Sequence, residues 1–158
     1  MTGGIRPDKS SRACARCPAS VAIVNSPSRT AARIVLGILL AFAGVSHLTW
    51  ARHEFSAQVP SWVPFTDGFT VVSSGIVEII LGIALLSVAK HRALVGLIVA
   101  IFFVAVFPGN LSQYLTGTDA FGLDTDTKRF VRLFFQPVLI VWALWCTGCP
   151  PFAAKPRP

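Results

Sequence analysis

The sequence predicts an all-α polytopic membrane protein, an antiparallel bundle of four transmembrane helices with both termini in the cytoplasm. Three observations predict it. The 158 residues are 53% hydrophobic and only 13% charged, with mean hydropathy +0.64, whereas soluble domains carry about 25% charged residues. Four apolar runs, Ile34–Trp50, Phe69–Ala89, Ala93–Phe107 and Phe130–Cys146, suit the ~20-residue length that crosses a ~30 Å hydrocarbon core. The charge is also asymmetric. With the N-terminus inside, the cytoplasmic side collects Arg6, Lys9, Arg12, Arg16, Arg29, Arg33, Lys90, Arg92, Lys155 and Arg157, ten of the fourteen basic residues. The outer side holds Arg52, Lys128, Arg129 and Arg132 with most of the acidic residues. This is the positive-inside pattern. The net charge of +7 is thereby a topology signal, and nucleic acid is not an expected partner.

Residues 1–30 mix Gly, Pro and Ser with scattered positive charge, the composition of a disordered cytoplasmic tail. Val21–Val24 is too short for a signal-peptide core, so no cleavage is expected. The four-helix domain is expected over 31–148. Its first helix carries Gly37, Ala41 and Gly44 on one side, and its second carries Gly75 and Gly82. Small residues let helix backbones approach closely in a bilayer, where hydrophobicity cannot drive association. Between them, Val59-Pro60-Ser61-Trp62-Val63-Pro64-Phe65 holds two prolines that oppose a regular helix. Phe55, Trp62, Phe65 and Phe69 suit the aromatic belt of the outer interface.

Only Lys90-His91-Arg92 joins the second and third helices, a tight hairpin that makes them antiparallel neighbours. The third run reaches spanning length by continuing through Pro108 to Leu111. A polar loop rich in Gly, Thr and Asp follows over 109–128. The fourth helix sets Arg129, Arg132 and Gln136 at i, i+3 and i+7, on one face. Residues 149–158 read as a short Pro-rich cytoplasmic tail.

Glu78 stands alone as a charge in the second run, about nine residues or roughly 13 Å below its outer end. A carboxylate at that depth costs on the order of 3 kcal/mol and therefore faces a partner or a water-filled cavity. His47, Asn110, Arg132 and Gln136 occupy the outer halves of the other three helices. Five polar residues from four helices are thus candidates for one pocket. In one reading they form a structural cluster in which Arg132 neutralises Glu78 and the others complete the hydrogen bonding. In the other, the pocket opens to the outside or to the outer leaflet and Glu78 and His47 exchange protons.

The cysteines form two pairs, Cys14-Ala15-Arg16-Cys17 and Cys146-Thr147-Gly148-Cys149, both on the cytoplasmic side. A zinc site or a thiol–disulfide relay would use such pairs. The first pair lies in the tail and neither reaches the outer-half cluster, so incidental thiols are expected and no metal ligands are assigned. No phosphate loop, nucleophile elbow or His-Glu-x-x-His motif occurs, which leaves soluble-type kinase, hydrolase and metalloprotease chemistry without support.

Gly44-Val45-Ser46-His47, Val59-Pro60-Ser61-Trp62-Val63-Pro64, Ser74-Gly75-Ile76-Val77-Glu78-Ile79-Ile80-Leu81-Gly82, Phe107-Pro108-Gly109-Asn110 and Arg132 with Gln136 stand in an order that resembles the DoxX-like (DoxX/DoxD) family. These are small bacterial four-helix membrane proteins, and the resemblance covers about residues 34–146. Leu48 stands where an aromatic residue commonly follows the histidine, and the second outer loop is longer and more acidic than the family pattern. The resemblance implies a multi-pass protein of the bacterial inner membrane and a subunit of a redox or oxidative-stress system, with other redox-complex subunits as partners. No bound cofactor is expected, but a quinone would suit the pocket of His47, Glu78, Asn110, Arg132 and Gln136. A protein that binds or transports a small lipophilic molecule, and a non-catalytic scaffold, are the rival expectations.

Overall fold

The computed structural model describes residues 26–56 and 58–152. Five helices and no strand occur among the described residues: α1 (Pro27–Leu48), α2 (Arg52–Ser56), α3 (Asp67–Ser87), α4 (Arg92–Thr116) and α5 (Asp126–Thr147). All but α2 are long and apolar enough to cross a membrane. The disordered tail expected at the N-terminus lies outside the described residues up to 25, as does the C-terminal tail from 153.

Two boundaries are corrected. Pro27–Thr30 belong to α1, because the Ser26 side chain caps the helix by accepting from the Arg29 amide at 3.4 Å and Pro27 fits the first turn. Cys149–Phe152 are folded, not tail. Gly148 adopts the left-handed conformation at φ 72°, and the Cys149 amide turns back to the Leu144 carbonyl at 3.0 Å. Arg29 then reaches across to the Phe152 carbonyl at 3.3 Å. α4 also runs past Leu111 to Thr116, with Pro108 inside it, and α5 accommodates Pro137.

α1 packs along α3, α4 packs along α5, and the pairs meet chiefly through α1 and α5. The α1–α3 seam is the small-residue stripe. A β-carbon on Gly44 would lie 2.5 Å from the Gly75 carbonyl oxygen, and one on Gly82 would lie 2.7 Å from the Gly37 carbonyl. Pairing Gly37 with Gly82 and Gly44 with Gly75 means that α1 and α3 run antiparallel. In the second pair Gly96 makes room for the fully buried Thr147.

The bundle has two unlike halves. Around the start of α1, Leu36, Leu85, Val95, Val99, Ala143 and Cys146 form a packed apolar core. Arg33 donates to the Leu85 carbonyl at 2.6 Å near the end of α3, where a cation also complements the helix dipole. The Trp142 indole donates to the Ala32 carbonyl at 3.2 Å. Toward the other end the helices enclose a cavity. Outside, Phe42, Ile80, Ile101 and Phe134 are about 60% exposed, and many aliphatic side chains are exposed as well. Apolar surface on that scale suits hydrocarbon rather than water.

If the glycine seam sets the α1–α3 distance, Gly44→Val should lower stability in mild detergent by about 1–3 kcal/mol through overpacking. Gly68→Ala, whose new β-carbon meets only the flexible tip of Arg52 at 3.3 Å, is the control and should be near neutral. Equal thermal unfolding of the two variants would contradict the seam.

Candidate functional site

The glycine seam builds the first wall of the cavity. A β-carbon on Gly75 would lie 2.7 Å from the His47 β-carbon, so only glycine lets His47 come this close to α3. One turn on, Glu78 comes level with the ring. Both residues are more than nine-tenths buried. His47 Nε2 stands 3.6 Å from Glu78 Oε2, and His47 Nδ1 stands 3.1 Å from the Ser74 hydroxyl. Ser74 donates its own proton to the Val71 carbonyl at 2.9 Å. The hydroxyl therefore has only a lone pair left for His47, which makes Nδ1–H the donor and leaves Nε2 as the acceptor in the neutral ring.

The second wall is built by α4 and α5. Asn110 donates to Gln136 Oε1 at 2.8 Å, and Gln136 Nε2 donates to the Phe103 carbonyl at 2.6 Å. Gln136 thus ties α5 to α4 in the turns beside Pro108 and Pro137, where proline removes intrahelical donors. In a bilayer such a polar clasp supplies association that burial of apolar surface cannot.

His47, Glu78, Asn110, Arg132 and Gln136 all line one cavity of about 460 Å³. Apolar side chains, among them Leu40, Val71, Phe103 and Leu139, supply much of the remaining wall. The expected pairing of Arg132 with Glu78 is corrected. Among the described residues the titratable neighbour of Glu78 is His47, at 3.6 Å, and the Arg132 guanidinium lies over the Phe121 ring at 4.8 Å. Phe121 in turn meets Phe55 edge-on, at 4.6 Å between centroids, and Phe55 packs on the His47 imidazole. The cation and the carboxylate are linked through aromatic rings, and a cation on a ring face is well placed where water is scarce.

Arg129, predicted on the same face as Arg132, does not line the cavity. It is buried and forms ion pairs with Asp119 and with Asp126, the latter at 2.7 Å. The Asp119 pair pins the loop between α4 and α5 to the start of α5. Lys128 donates to Asp124 at 2.6 Å and holds that exposed carboxyl below the usual carboxylate range. Glu54 accepts from the Phe121 amide at 2.6 Å, and Phe121 takes a left-handed φ of 56°, a conformation costly for a bulky residue. The short helix α2 is thereby tied to the loop that carries Phe121.

Among the lining residues outside the predicted site are Phe55, Gln58, Trp62 and Ser74. Phe55 and Trp62 carry the aromatic signal of an interface belt, and Ser74 lies on the small-residue stretch before Gly75. Gln58 carried no periodic signal. Of the cysteines, Cys146 and Cys149 are buried free thiols at the far end of the bundle from the cavity, while Cys14 and Cys17 lie outside the described residues. No group of three or more His, Cys, Asp or Glu able to hold a metal occurs among the described residues.

The family model for a domain of unknown function, DUF8561, matches residues 36–147, a span that takes in every residue of the cavity named above. No curated protein and no solved structure matches the chain. The chain belongs to the DUF8561 family.

Proposed function

We propose that this is a multi-pass protein of the bacterial inner membrane that holds a small lipophilic ring compound, a quinone by class, in the cavity around Glu78. In this reading it serves as a subunit of a membrane redox or stress-response system, the role that its DoxX-like motifs imply. One observation carries the reading. Five polar side chains from four helices converge on a single cavity whose other walls are largely apolar, the composition that suits a lipophile with a few fixed polar atoms. The motif residues that carry the resemblance, His47, Glu78, Asn110, Arg132 and Gln136, belong to the polar part of that wall.

The orientation proposed is N-in and C-in, with the cavity in the outer half. It is supported by Arg29 and Arg33 at the start of α1 and Lys90 and Arg92 between α3 and α4, against the acidic cluster Asp119, Asp124 and Asp126 at the other end. A membrane-impermeant maleimide on intact cells should label a Thr118→Cys variant and leave Cys146 and Cys149 unmodified. Labelling of those two native thiols from outside, without labelling at 118, would reverse the orientation.

The binding reading is tested with the full chain in lipid nanodiscs and ubiquinone-1 as probe. Saturable uptake above that of empty nanodiscs is expected, weakened about tenfold or more by Ala43→Phe, which fills the cavity from α1. Uptake indistinguishable from empty nanodiscs would contradict the proposal.

A further inference from the structure

Two buried polar atoms in the cavity wall lack hydrogen-bond partners among the described residues: Glu78 Oε2 and Gln58 Nε2. Unpaired buried polar atoms are uncommon because each forfeits hydration without replacement. Finding one acceptor and one donor in the same cavity is therefore informative. Arg129 Nε is the third such atom, but it belongs to the ion-paired loop and not to the cavity.

The acceptor side is sharper than a lone carboxylate. His47 Nδ1–H is committed toward Ser74, whose own proton goes to Val71, so the neutral ring presents the lone pair of Nε2. Glu78 Oε2 faces that lone pair at 3.6 Å, too long for a direct hydrogen bond. Two acceptors from α1 and α3 thus flank a position with no proton supplied by Ser74 or by the ring. The charged group on the remaining side is Arg132 of α5, which lies over Phe121. Arg132 is a donor, and the structure forms no ion pair between it and Glu78. The pair His47–Glu78 is built to receive an O–H or N–H from outside.

The donor side is Gln58, in the segment between α2 and α3. A carboxamide offers N–H whichever way the group is turned. The Gln58 backbone carbonyl lies against Gly109, where a β-carbon would approach it to 3.1 Å, so the segment is seated on α4 and its side chain belongs to the cavity wall.

Resting on the reading that the cavity takes a ring lipophile, we infer that the site selects the reduced, hydroxyl-bearing form: one ring hydroxyl donates to the His47–Glu78 pair, and another ring oxygen accepts from the Gln58 amide. Gln58 is a specificity residue of this site, and the preferred ligand class is a hydroquinone rather than a quinone. A quinone carbonyl would set an oxygen lone pair against the lone pair of His47 Nε2, whereas a hydroxyl donates a proton to it.

The test uses three probes of one ring shape, with the full chain in lipid nanodiscs: tetramethylhydroquinone, its di-O-methyl ether and tetramethylquinone. The expected result is that the hydroquinone binds about tenfold more tightly than either of the others, the effect of one hydrogen bond to a buried acceptor. Glu78→Gln, which keeps the side-chain shape, should collapse that ratio toward one. Gln58→Met, in a non-helical segment, should weaken hydroquinone and ether together by several-fold and leave their ratio unchanged. Equal binding of hydroquinone and ether to the unaltered protein, or a ratio that survives Glu78→Gln, would overturn the selectivity while leaving the cavity reading in place. Uptake of none of the three would remove both.

Discussion

The close approach of α1 and α3 at Gly44 and Gly75 is the constraint on which the rest of the molecule depends. A β-carbon on either residue would fall well inside van der Waals distance of the other helix. Because both are glycine, His47 lies against α3 beside Ser74 and level with Glu78. Moving the helices apart by the width of a methyl group would part the imidazole from its serine and leave the carboxylate alone in an apolar wall. In hydrocarbon the attraction between helices comes from close packing and polar contacts, and this seam supplies both at one place.

The opposite wall follows a different logic. α4 and α5 each carry a proline, and Gln136 bridges them through Asn110 and the Phe103 carbonyl. One half of the interior is an apolar core of Leu85, Val95, Val99 and Cys146, and the other half is a polar-lined cavity. Arginines divide the labour in the same way. Arg29 and Arg33 fasten helix and chain ends at the core half, Arg129 secures the loop before α5, and Arg132 meets the cavity through an aromatic ring. Phe121, held in a left-handed conformation by Glu54, joins that ring contact to Phe55 and His47. The loops are therefore part of the site's construction.

The four spans, the small-residue seam and the five polar residues were legible in the sequence because each rests on composition or helical period. Glu78 in an uncharged run and glycines spaced along one face need no tertiary knowledge. Which charge meets which was not legible. Arg129 and Arg132 share a helix face, but Arg129 sits in the first turn, within reach of Asp119 and Asp126, and is used there. Gln58 and the strained Phe121 belong to loops, whose side-chain directions follow from backbone dihedrals that no periodicity reports. The start of α1 at Pro27 was signalled by the Ser-Pro pair, yet the surrounding Ser and Pro content reads equally as tail. Prolines at 108 and 137 within continuous helices show that a membrane bundle tolerates residues that end helices in water.

The measurement that bears most directly on this account is magic-angle-spinning NMR of the full chain in bilayers, with the His47 ring nitrogens and the Glu78 carboxyl carbon isotopically labelled. The account predicts a dipolar coupling between His47 Nε2 and the Glu78 carboxyl carbon, a proton on Nδ1, and loss of the coupling in Gly75→Val. A protein with no such coupling, or with the Glu78 carboxyl coupled instead to the Arg132 guanidinium carbon, would contradict it.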